Sequence, residues 1–229
     1  MFERPDSTLS RQWNEWGIRH LRDGDVIFIL GQSRLVMGLI NFSEFSSDIA
    51  ASRFSHVGIV SIEDQQPYVY DIVSHGPRRK ELGWYLDRDQ IRRVAFRRPR
   101  PDLADHIPSV IRFCQQVYHN KVPFDRRFRL GDDTYYCSEF IDTAWRRQNV
   151  PLCAPVPINQ LPNFTEFPKT TVTLIEAMTS ISAEQEVILP GNDSFGIWSS
   201  PALTLLLPER SPEHVPISTA GRRTESPDP

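Results

Sequence analysis

The chain has 229 residues, a length that suits one large domain or one domain with short appendages. Its composition of 39% hydrophobic and 24% charged residues excludes a collagen-like, low-complexity or wholly disordered protein. No run of about 18 consecutive apolar residues occurs, so the sequence predicts no transmembrane helix.

Charge is distributed unevenly along the sequence. The net charge of −3 and the isoelectric point near 6.1 give no reason to expect a nucleic-acid partner. Residues 76–130, however, hold 14 Lys and Arg against 6 Asp and Glu, an excess of +8 that leaves −11 for the rest of the chain. This basic segment is expected either to be a solvated arginine-rich face or to meet an anionic substrate or, as a peripheral contact, an anionic membrane surface.

The cysteines and the N-terminal residues bear on the cellular compartment. Cys114, Cys137 and Cys153 are too few for a disulfide framework. No Cys-x-x-Cys or His-x-x-x-His pair occurs, so the sequence predicts no metal site and no cofactor. The first 21 residues carry acids and tryptophans where a secretory signal needs an apolar segment, so a reducing, cytoplasmic location is the default expectation.

Hydrophobic periodicity predicts helices and strands in the N-terminal part of the sequence. Residues 8–21 and 33–45 have helical spacing. The continuous apolar run 26–30 predicts a strand that is covered on both faces. Two β-rich segments, 55–62 and 68–73, are joined by a polar turn, which predicts a hairpin. A short helix and a further strand are predicted next, at residues 84–89 and 91–97.

Helices and irregular segments are predicted for the C-terminal part. An Asp cap and helical spacing predict a helix over residues 102–118, and a charged loop is expected at 121–133. Residues 135–148 predict a second helix with one apolar face. Four prolines make residues 151–162 irregular, and the Pro, Ser, Arg and Glu of residues 208–229 predict a disordered tail.

The strongest signal for chemistry is the segment 132–140, Asp-Asp-Thr-Tyr-Tyr-Cys-Ser-Glu-Phe. An Asp or Thr at its start is expected to cap the following helix, which places Cys137 in the first helical turn. The partial positive charge and unpaired N–H groups of a helix N-terminus favour a thiolate and can hold an oxyanion. A cysteine on an apolar helix face is more often a core residue, so the nucleophile hypothesis requires a general base.

His56 is the best placed of the six histidines to act as that base, because it begins a strand of the predicted hairpin. Asp71 lies in the other strand, which is otherwise apolar, and a buried carboxylate needs a partner. The sequence leaves two partners open. One is the Nδ1–H of His56 across the hairpin, and the other is one of the arginines.

The order of these motifs resembles that of the permuted papain-like hydrolases, the YaeF/YiiX branch of the NlpC superfamily. The segments that carry the resemblance are residues 24–28, 54–58, 67–71 and 136–139. In this branch the strand with the histidine precedes the helix with the cysteine, whereas ordinary papain-like enzymes have the opposite order. Weaker matches extend the resemblance over roughly residues 20–205.

The resemblance implies an α+β, permuted papain-like fold. In such a fold a small antiparallel sheet packs against helices, and the nucleophile lies at a helix N-terminus. The catalytic domain is then expected to span residues 22–207. Residues 1–21 are predicted to be an N-terminal helical extension and residues 208–229 a disordered tail.

The resemblance also implies a triad of Cys137 as nucleophile, His56 as base and Asp71 as orienting residue. Together they are expected to cleave an amide bond, as in a peptidase or amidase, through a thioacyl-enzyme. This branch more often has Glu as the third residue, so Asp71 reaches one methylene less far. His75 is the alternative third residue.

Further residues of the site are implied with less detail. The backbone N–H of Cys137 is expected to hold the oxyanion, with Tyr136 or Tyr70 as candidates for the second donor. Asp125 matches a position of the family and is expected to hold the loop before the cysteine helix.

Two other functions are compatible with the same residues. One is a lipid-directed acyltransferase or acylhydrolase that is similar to the related lecithin:retinol acyltransferases, for which the basic segment suits an anionic lipid surface. The other is a non-catalytic binding module, against which an intact Cys137, His56 and Asp71 set argues. The substrate is therefore expected to be a peptide or a lipid-like molecule. The sequence leaves open whether residues 158–200 form a lid over the cleft.

Overall fold

A six-stranded antiparallel sheet lies at the centre of the structure, a computed structural model that describes residues 7–31, 48–87, 91–166 and 181–216. Its strands are β1 (Val26–Gly31), β2 (His56–Glu63), β3 (Gln66–Val73), β4 (Gly76–Glu81), β5 (Ile91–Pro99) and β8 (Leu203–Arg210), in the spatial order β4-β3-β2-β1-β5-β8. A separate two-stranded ribbon pairs β6 (Val156–Pro157) with β7 (Glu186–Val187). The predicted α+β class with an antiparallel sheet is confirmed.

Helices cover both faces of this sheet. On one face lie α1 (Thr8–His20) and α2 (Leu82–Leu86), and on the other lie α3 (Ile107–His119) and α4 (Cys137–Arg146). Short 3-10 turns are found at Pro101–His106, Ile158–Gln160, Phe164–Glu166 and Ile197–Ser199. Within the ranges given above, none of the helices has the length and apolar character needed to cross a membrane.

The side chains of β1 alternate between the two faces and so connect two hydrophobic cores. Val26 and Phe28 pack in the core that contains α3 and α4, whereas Ile27 and Ile29 pack in the core that contains α1 and α2. All four side chains are at most 5% exposed. The prediction of a strand that is covered on both faces is confirmed.

The predicted hairpin is formed by β2 and β3. Asp64 and Gln65 make its two-residue turn with φ angles of 47° and 65°, the left-handed geometry that suits the twist of a hairpin. The register pairs Ile59 with Tyr70. A second turn leads from β3 into β4, a strand that was not predicted because its Gly-Pro-Arg-Arg-Lys-Glu sequence has no apolar alternation.

Two helices are shorter than predicted. Pro108 lies in the first turn of α3, and because proline lacks an N–H and clashes with a preceding turn, the α-helix begins at Ile107 and not at residue 102. Similarly, α4 begins at Cys137, since Tyr135 is extended and forms a β-bridge with Phe124. The helix predicted for residues 33–45 lies outside the described residues.

The N-terminal helix shares a core with the sheet. Trp13 is fully buried, Trp16 is 5% exposed, and their rings are in edge contact at 5.4 Å. Trp13 Nε1 also donates a hydrogen bond to the carbonyl of Pro212 at 2.7 Å. The division of the chain at residue 21 stays a prediction, but α1 packs directly on the predicted catalytic domain.

The C-terminal boundary differs from the prediction. β8 runs to Arg210 and pairs with β5, so residues 208–210 belong to a strand and not to a disordered tail. Beyond the predicted boundary the strand is held by the pairing of Arg210 with Val94 and by the ion pairs of Glu209 with Arg53 and Arg93. Residues 217–229 lie outside the described part of the chain.

We expect Trp13→Ala to lower the free energy of unfolding by about 3–5 kcal/mol, because the truncation leaves a cavity between α1 and the sheet. The matched control is Ile18→Ala on the same helix, since Ile18 is 45% exposed. That change should alter stability by less than about 0.5 kcal/mol. Denaturant unfolding of both variants measures the difference, and two equally small effects would show that α1 is an independent extension.

Candidate active site

Cys137 is the first residue of α4, at the positive end of the helix. The preceding residue, Tyr136, is the N-cap, with φ −102° and ψ 171°, and its side chain makes no capping hydrogen bond. The prediction of an Asp or Thr cap is wrong, because Asp132 instead accepts hydrogen bonds from the backbone N–H and hydroxyl of Thr134. The sulfur therefore lies beside uncapped first-turn N–H groups, which favour a thiolate.

His56 begins β2, where pairing with Ile29 of β1 holds its backbone. Its Nε2 lies 2.7 Å from Oδ2 of Asp71, so the shorter acid does reach the ring. The prediction that Nδ1 makes this contact is wrong, since Nε2 is at the far end of the ring and reaches across to the neighbouring strand. Nδ1 is therefore the ring nitrogen that is left for Cys137.

Asp71 is fully buried and accepts hydrogen bonds from three side chains. Its Oδ1 accepts from Nε of Arg78 at 2.8 Å. Its Oδ2 accepts from the second guanidinium nitrogen of Arg78, from His56, and from the hydroxyl of Tyr85 at 2.9 Å. Both partners that the sequence left open are thus present together, with Arg78 as the arginine that the sequence did not single out. Tyr85 is an addition that was not predicted.

The ionisation of Asp71 follows from these contacts. Burial by itself raises the pKa of Asp71, but the charge and hydrogen bonds of Arg78 and the contact with His56 outweigh it. The pKa of Asp71 is lowered as a result, so the carboxylate stays negative at all physiological pH values.

Cys137 and His56 shift the pKa of one another in opposite directions. Burial alone lowers the pKa of His56, but the charge of the Cys137 thiolate and the hydrogen bond with Asp71 raise it to about 9. Burial raises the pKa of Cys137, yet the His56 imidazolium brings it below its ordinary value. These shifts favour a thiolate–imidazolium ion pair at neutral pH.

Two further groups next to the sulfur were not predicted. Ser138 Oγ lies 3.7 Å from Sγ of Cys137 inside the buried first turn of α4. The Ser138 hydroxyl and the backbone N–H of Val57 both lower the pKa of Cys137 by hydrogen bonding. Ser138 had a usable sequence signal, because it follows Cys137 in the same turn, whereas Val57 contributes only a backbone group.

The structure gives other partners to the two tyrosines that were predicted as oxyanion donors. The Tyr70 hydroxyl donates to Oε1 of Glu63 at 2.7 Å, and Glu63 ends β2 at the opposite end from His56. Tyr70 is therefore directed away from the site, which contradicts its prediction as the second donor. The hydroxyl of Tyr136 accepts from the backbone N–H of Ile188 at 2.7 Å and so anchors the start of α4.

Asp125 holds the loop before α4, as predicted. Its buried carboxylate accepts hydrogen bonds from the backbone N–H groups of Arg127 and Arg129. Its own N–H donates to the carbonyl of Tyr135 at 2.9 Å, and the side chain of Gln185 donates to the carbonyl of Arg127 at 2.8 Å. The loop is thereby fixed alongside the residues that lead into Cys137.

Glu139 is a buried acid two residues after the cysteine. Its Oε1 accepts from the backbone N–H of Gly131 at 3.1 Å, and among the described residues its Oε2 has no hydrogen-bond partner. Burial raises the pKa of Glu139 to about 8, and the charges of Asp125 and Asp132 act in the same direction. Glu139 is therefore largely neutral at pH 7, which keeps negative charge away from the thiolate.

Only some of the arginines in the basic segment, residues 76–130, are held in ion pairs. Five of its arginines form ion pairs with carboxylates, namely Arg78, Arg79, Arg93, Arg98 and Arg100. In contrast, Arg126, Arg127 and Arg129 are exposed, and in the part of the chain that the structure describes none of them forms an ion pair. Three exposed arginines without an ion pair to any described residue thus lie together on the loop before α4.

The remaining candidate residues lie outside the site. Cys114 is buried, and burial raises its pKa. Burial also raises the pKa of Cys153 to about 12. His75 is exposed in the turn after β3, where its Nδ1 lies 3.2 Å from Oγ of Ser74, so it does not replace Asp71. Across the four described ranges, no three His, Cys, Asp or Glu side chains gather as a metal site requires.

Comparison with known proteins gives a family and a fold. Residues 20–190 match the family described as permuted papain-like amidase enzymes, YaeF/YiiX, C92 family. The structure is similar to the crystal structure of the metalloprotein YiiX from Escherichia coli O157:H7, with a TM-score of 0.65 and 20% sequence identity over 80% of this chain and 95% of that chain. At this identity the likeness shows the fold alone. No curated protein matches the chain.

Glu139→Gln is expected to stabilise the protein at alkaline pH. The folded-state pKa of about 8 lies above the ordinary value, so the contribution of this carboxyl to stability is present at acid pH and is lost as the pH rises through 8. Glutamine keeps the oxygen acceptor for Gly131 and does not ionise. Thermal unfolding should therefore give a higher midpoint for the variant above pH 8, with an advantage that shrinks towards pH 5.

Glu213→Gln is the control for this experiment, because Glu213 is exposed. It should show no pH-dependent advantage over the wild type. If Glu139→Gln follows the wild-type curve at every pH, Glu139 is already ionised in the folded protein.

Proposed function

The chain belongs to the permuted papain-like amidases of the YaeF/YiiX type, and from this premise we propose that it is a cysteine-dependent hydrolase that cleaves an amide bond through a thioacyl-enzyme. The observation that carries the proposal is the coupling of Cys137 to His56, whose opposite pKa shifts favour a reactive ion pair. The 2.7 Å contact between His56 and Asp71 supports the proposed triad.

The first proposed step is acylation of the sulfur. The Cys137 thiolate attacks the carbonyl carbon of the amide, and the carbonyl oxygen takes the negative charge. The backbone N–H of Cys137, at the positive end of α4, is the proposed donor to this oxyanion. As the C–N bond breaks, His56 gives its Nδ1 proton to the nitrogen, which leaves as an amine, and the acyl group remains on sulfur as a thioester.

The second proposed step is hydrolysis of the thioester. Neutral His56 takes a proton from water while the water oxygen attacks the thioester carbonyl carbon. The C–S bond then breaks, the carboxylic acid leaves, and the Cys137 thiolate is restored beside a protonated His56. An acyl acceptor other than water would turn the same chemistry into acyl transfer.

The ionisation states suit an amine leaving group. Since the pKa of His56 is about 9, the ring holds its proton at neutral pH until the amine requires it. The pKa of Asp71 is lowered, so the carboxylate stays ionised throughout. Its proposed role is therefore to orient and stabilise the imidazolium without accepting a proton.

The proposed substrate carries a negative charge near the scissile bond. Arg126, Arg127 and Arg129 are exposed on the loop that is fixed beside the start of α4. Arg126 also donates to the carbonyl of Ser74 at 3.4 Å, which places it against the turn that follows Asp71 on β3. We keep the cytoplasm as the proposed location, so anionic peptides or inner-leaflet lipids are the proposed substrate classes.

The ion pair is tested by the pH dependence of iodoacetamide alkylation at Cys137. The wild type should react at pH 6, well below the ordinary thiol pKa of about 8.5. In His56→Ala the burial of Cys137 is no longer opposed by the imidazolium, so the titration midpoint should move above about 8.5. Peptide mapping distinguishes Cys137 from Cys114 and Cys153, and identical profiles for wild type and variant would overturn the ion pair.

Acylation itself is tested by mass spectrometry of the protein after incubation with a panel of peptide anilides. The proposal requires an acyl adduct on Cys137 in the wild type and its absence in Cys137→Ala. Asp71→Asn should keep the adduct but form it more slowly by about a hundredfold or more, because the imidazolium loses its anionic partner. The panel also includes phospholipid esters, and an acyl adduct on Cys137 that forms from these esters would identify the lipid-directed alternative.

The triple substitution Arg126→Ala, Arg127→Ala and Arg129→Ala is expected to raise KM for carboxylate-bearing substrates by about tenfold. The kcat of these substrates and the KM of neutral amides should change by less than about twofold. The control is the double substitution Arg19→Ala and Arg22→Ala, since both are exposed.

Vesicle co-sedimentation is a second measurement on the same set of variants. Binding of the wild type to anionic vesicles that disappears in the triple variant would identify a lipid surface as the anion. An unchanged KM together with no vesicle binding would show that the arginines are only a solvated face.

A further inference from the structure

We propose that Arg78 and Tyr85 are positioning residues of the site, which fix the carboxylate of Asp71 and thereby hold His56 with Nδ1 towards Cys137. The inference rests on the proposed cysteine hydrolase function. It extends that function beyond the three triad residues to a strand and a helix that were not expected to take part.

Arg78 is held opposite Asp71 by the sheet. The two residues are direct partners in the antiparallel pairing of β3 and β4. The guanidinium spans the carboxylate as a fork, with Nε on Oδ1 at 2.8 Å and the second nitrogen on Oδ2. A two-point contact of this kind fixes the plane of the carboxylate, which a single hydrogen bond does not do.

Tyr85 approaches the same carboxylate from α2. Its hydroxyl donates to Oδ2 at 2.9 Å, and its ring is 1% exposed. The short helix is in turn fixed to α1, because the backbone N–H of Gly83 donates to Oδ1 of Asn14 at 2.6 Å. A Cβ atom at residue 83 would lie 2.1 Å from the carbonyl oxygen of Ser10, so only glycine permits this approach.

The contacts hold both oxygens of the carboxylate. Asp71 accepts four hydrogen bonds, one at Oδ1 from Arg78 and three at Oδ2 from Arg78, His56 and Tyr85. Donors on both oxygens oppose rotation of the carboxylate. The positive charge of Arg78 also offsets part of the negative charge that His56 experiences, which makes the imidazolium a better proton donor than one beside an isolated carboxylate.

Arg79 is the matched control, because it is the next residue of β4 and makes the same kind of contact elsewhere. Its Nε donates to Oε2 of Glu63 at 2.8 Å, and a second nitrogen of Arg79 contacts the same oxygen. The Glu63 carboxylate also accepts from Tyr70, as Asp71 accepts from Tyr85. Arg79→Met thus removes a more exposed ion pair from the same strand without touching Asp71.

The experiment compares Arg78→Met, Arg78→Lys, Tyr85→Phe and Arg79→Met in full-length protein. The readouts are the pH profile of Cys137 alkylation and the 15N chemical shifts of the His56 ring, and neither needs a substrate. In Arg78→Met the titration of His56 should move upward by about one pH unit, because Asp71 is no longer neutralised. Arg78→Lys keeps the positive charge, so its upward shift of the His56 titration should be smaller than that of Arg78→Met. Arg79→Met should leave the profile unchanged.

Tyr85→Phe keeps the test decisive even if Arg78→Met does not fold, since it removes one hydroxyl and retains the ring. It should slow alkylation at pH 6 by at least about threefold and broaden the His56 signals. If Arg78→Lys and Tyr85→Phe both match Arg79→Met, the inference is overturned while the proposed function stands. A wild-type Cys137 of ordinary reactivity would overturn the proposed function and this inference with it.

Discussion

The ion pair between Asp71 and Arg78 is the interaction on which the rest of the site depends. A carboxylate with no exposure to solvent is unfavourable by several kcal/mol unless its charge is compensated and its oxygens accept hydrogen bonds. Arg78 supplies the compensation, and Tyr85 and His56 complete the set of donors. The ring of His56 is therefore oriented by a carboxylate that Arg78 and Tyr85 hold in place.

This constraint explains why the site needs both faces of the sheet. Asp71 and His56 come from the β2–β3 hairpin, Arg78 from β4, and Tyr85 from a helix on the face that α1 covers. Cys137 arrives from α4, which packs on the other face. The charged groups at the hairpin thus bring together residues from elements that pack in both hydrophobic cores.

The residues that were predictable from the sequence are those with a local signal of their own. Cys137 follows a polar turn and begins an apolar helix face, His56 begins a strand, and Asp71 is an acid among apolar residues. Arg78 has no such signal, because only the register of β3 and β4 selects it from many arginines. The error on Tyr70 has a plain cause: its ring packs in the core that contains α4, but its hydroxyl extends to Glu63, at the end of β2 opposite His56.

The hydrogen bond from Trp13 to Pro212 also bears on the order of the motifs in the chain. It brings the first helix and the last described segment side by side, so the described chain forms a nearly closed ring. A chain joined there and opened after Asn120, in an exposed loop, would carry Cys137 before His56, as ordinary papain-like enzymes do. Such a rearrangement would change the order of the motifs along this chain, while the strands, helices and ion pair described above could keep their places in space.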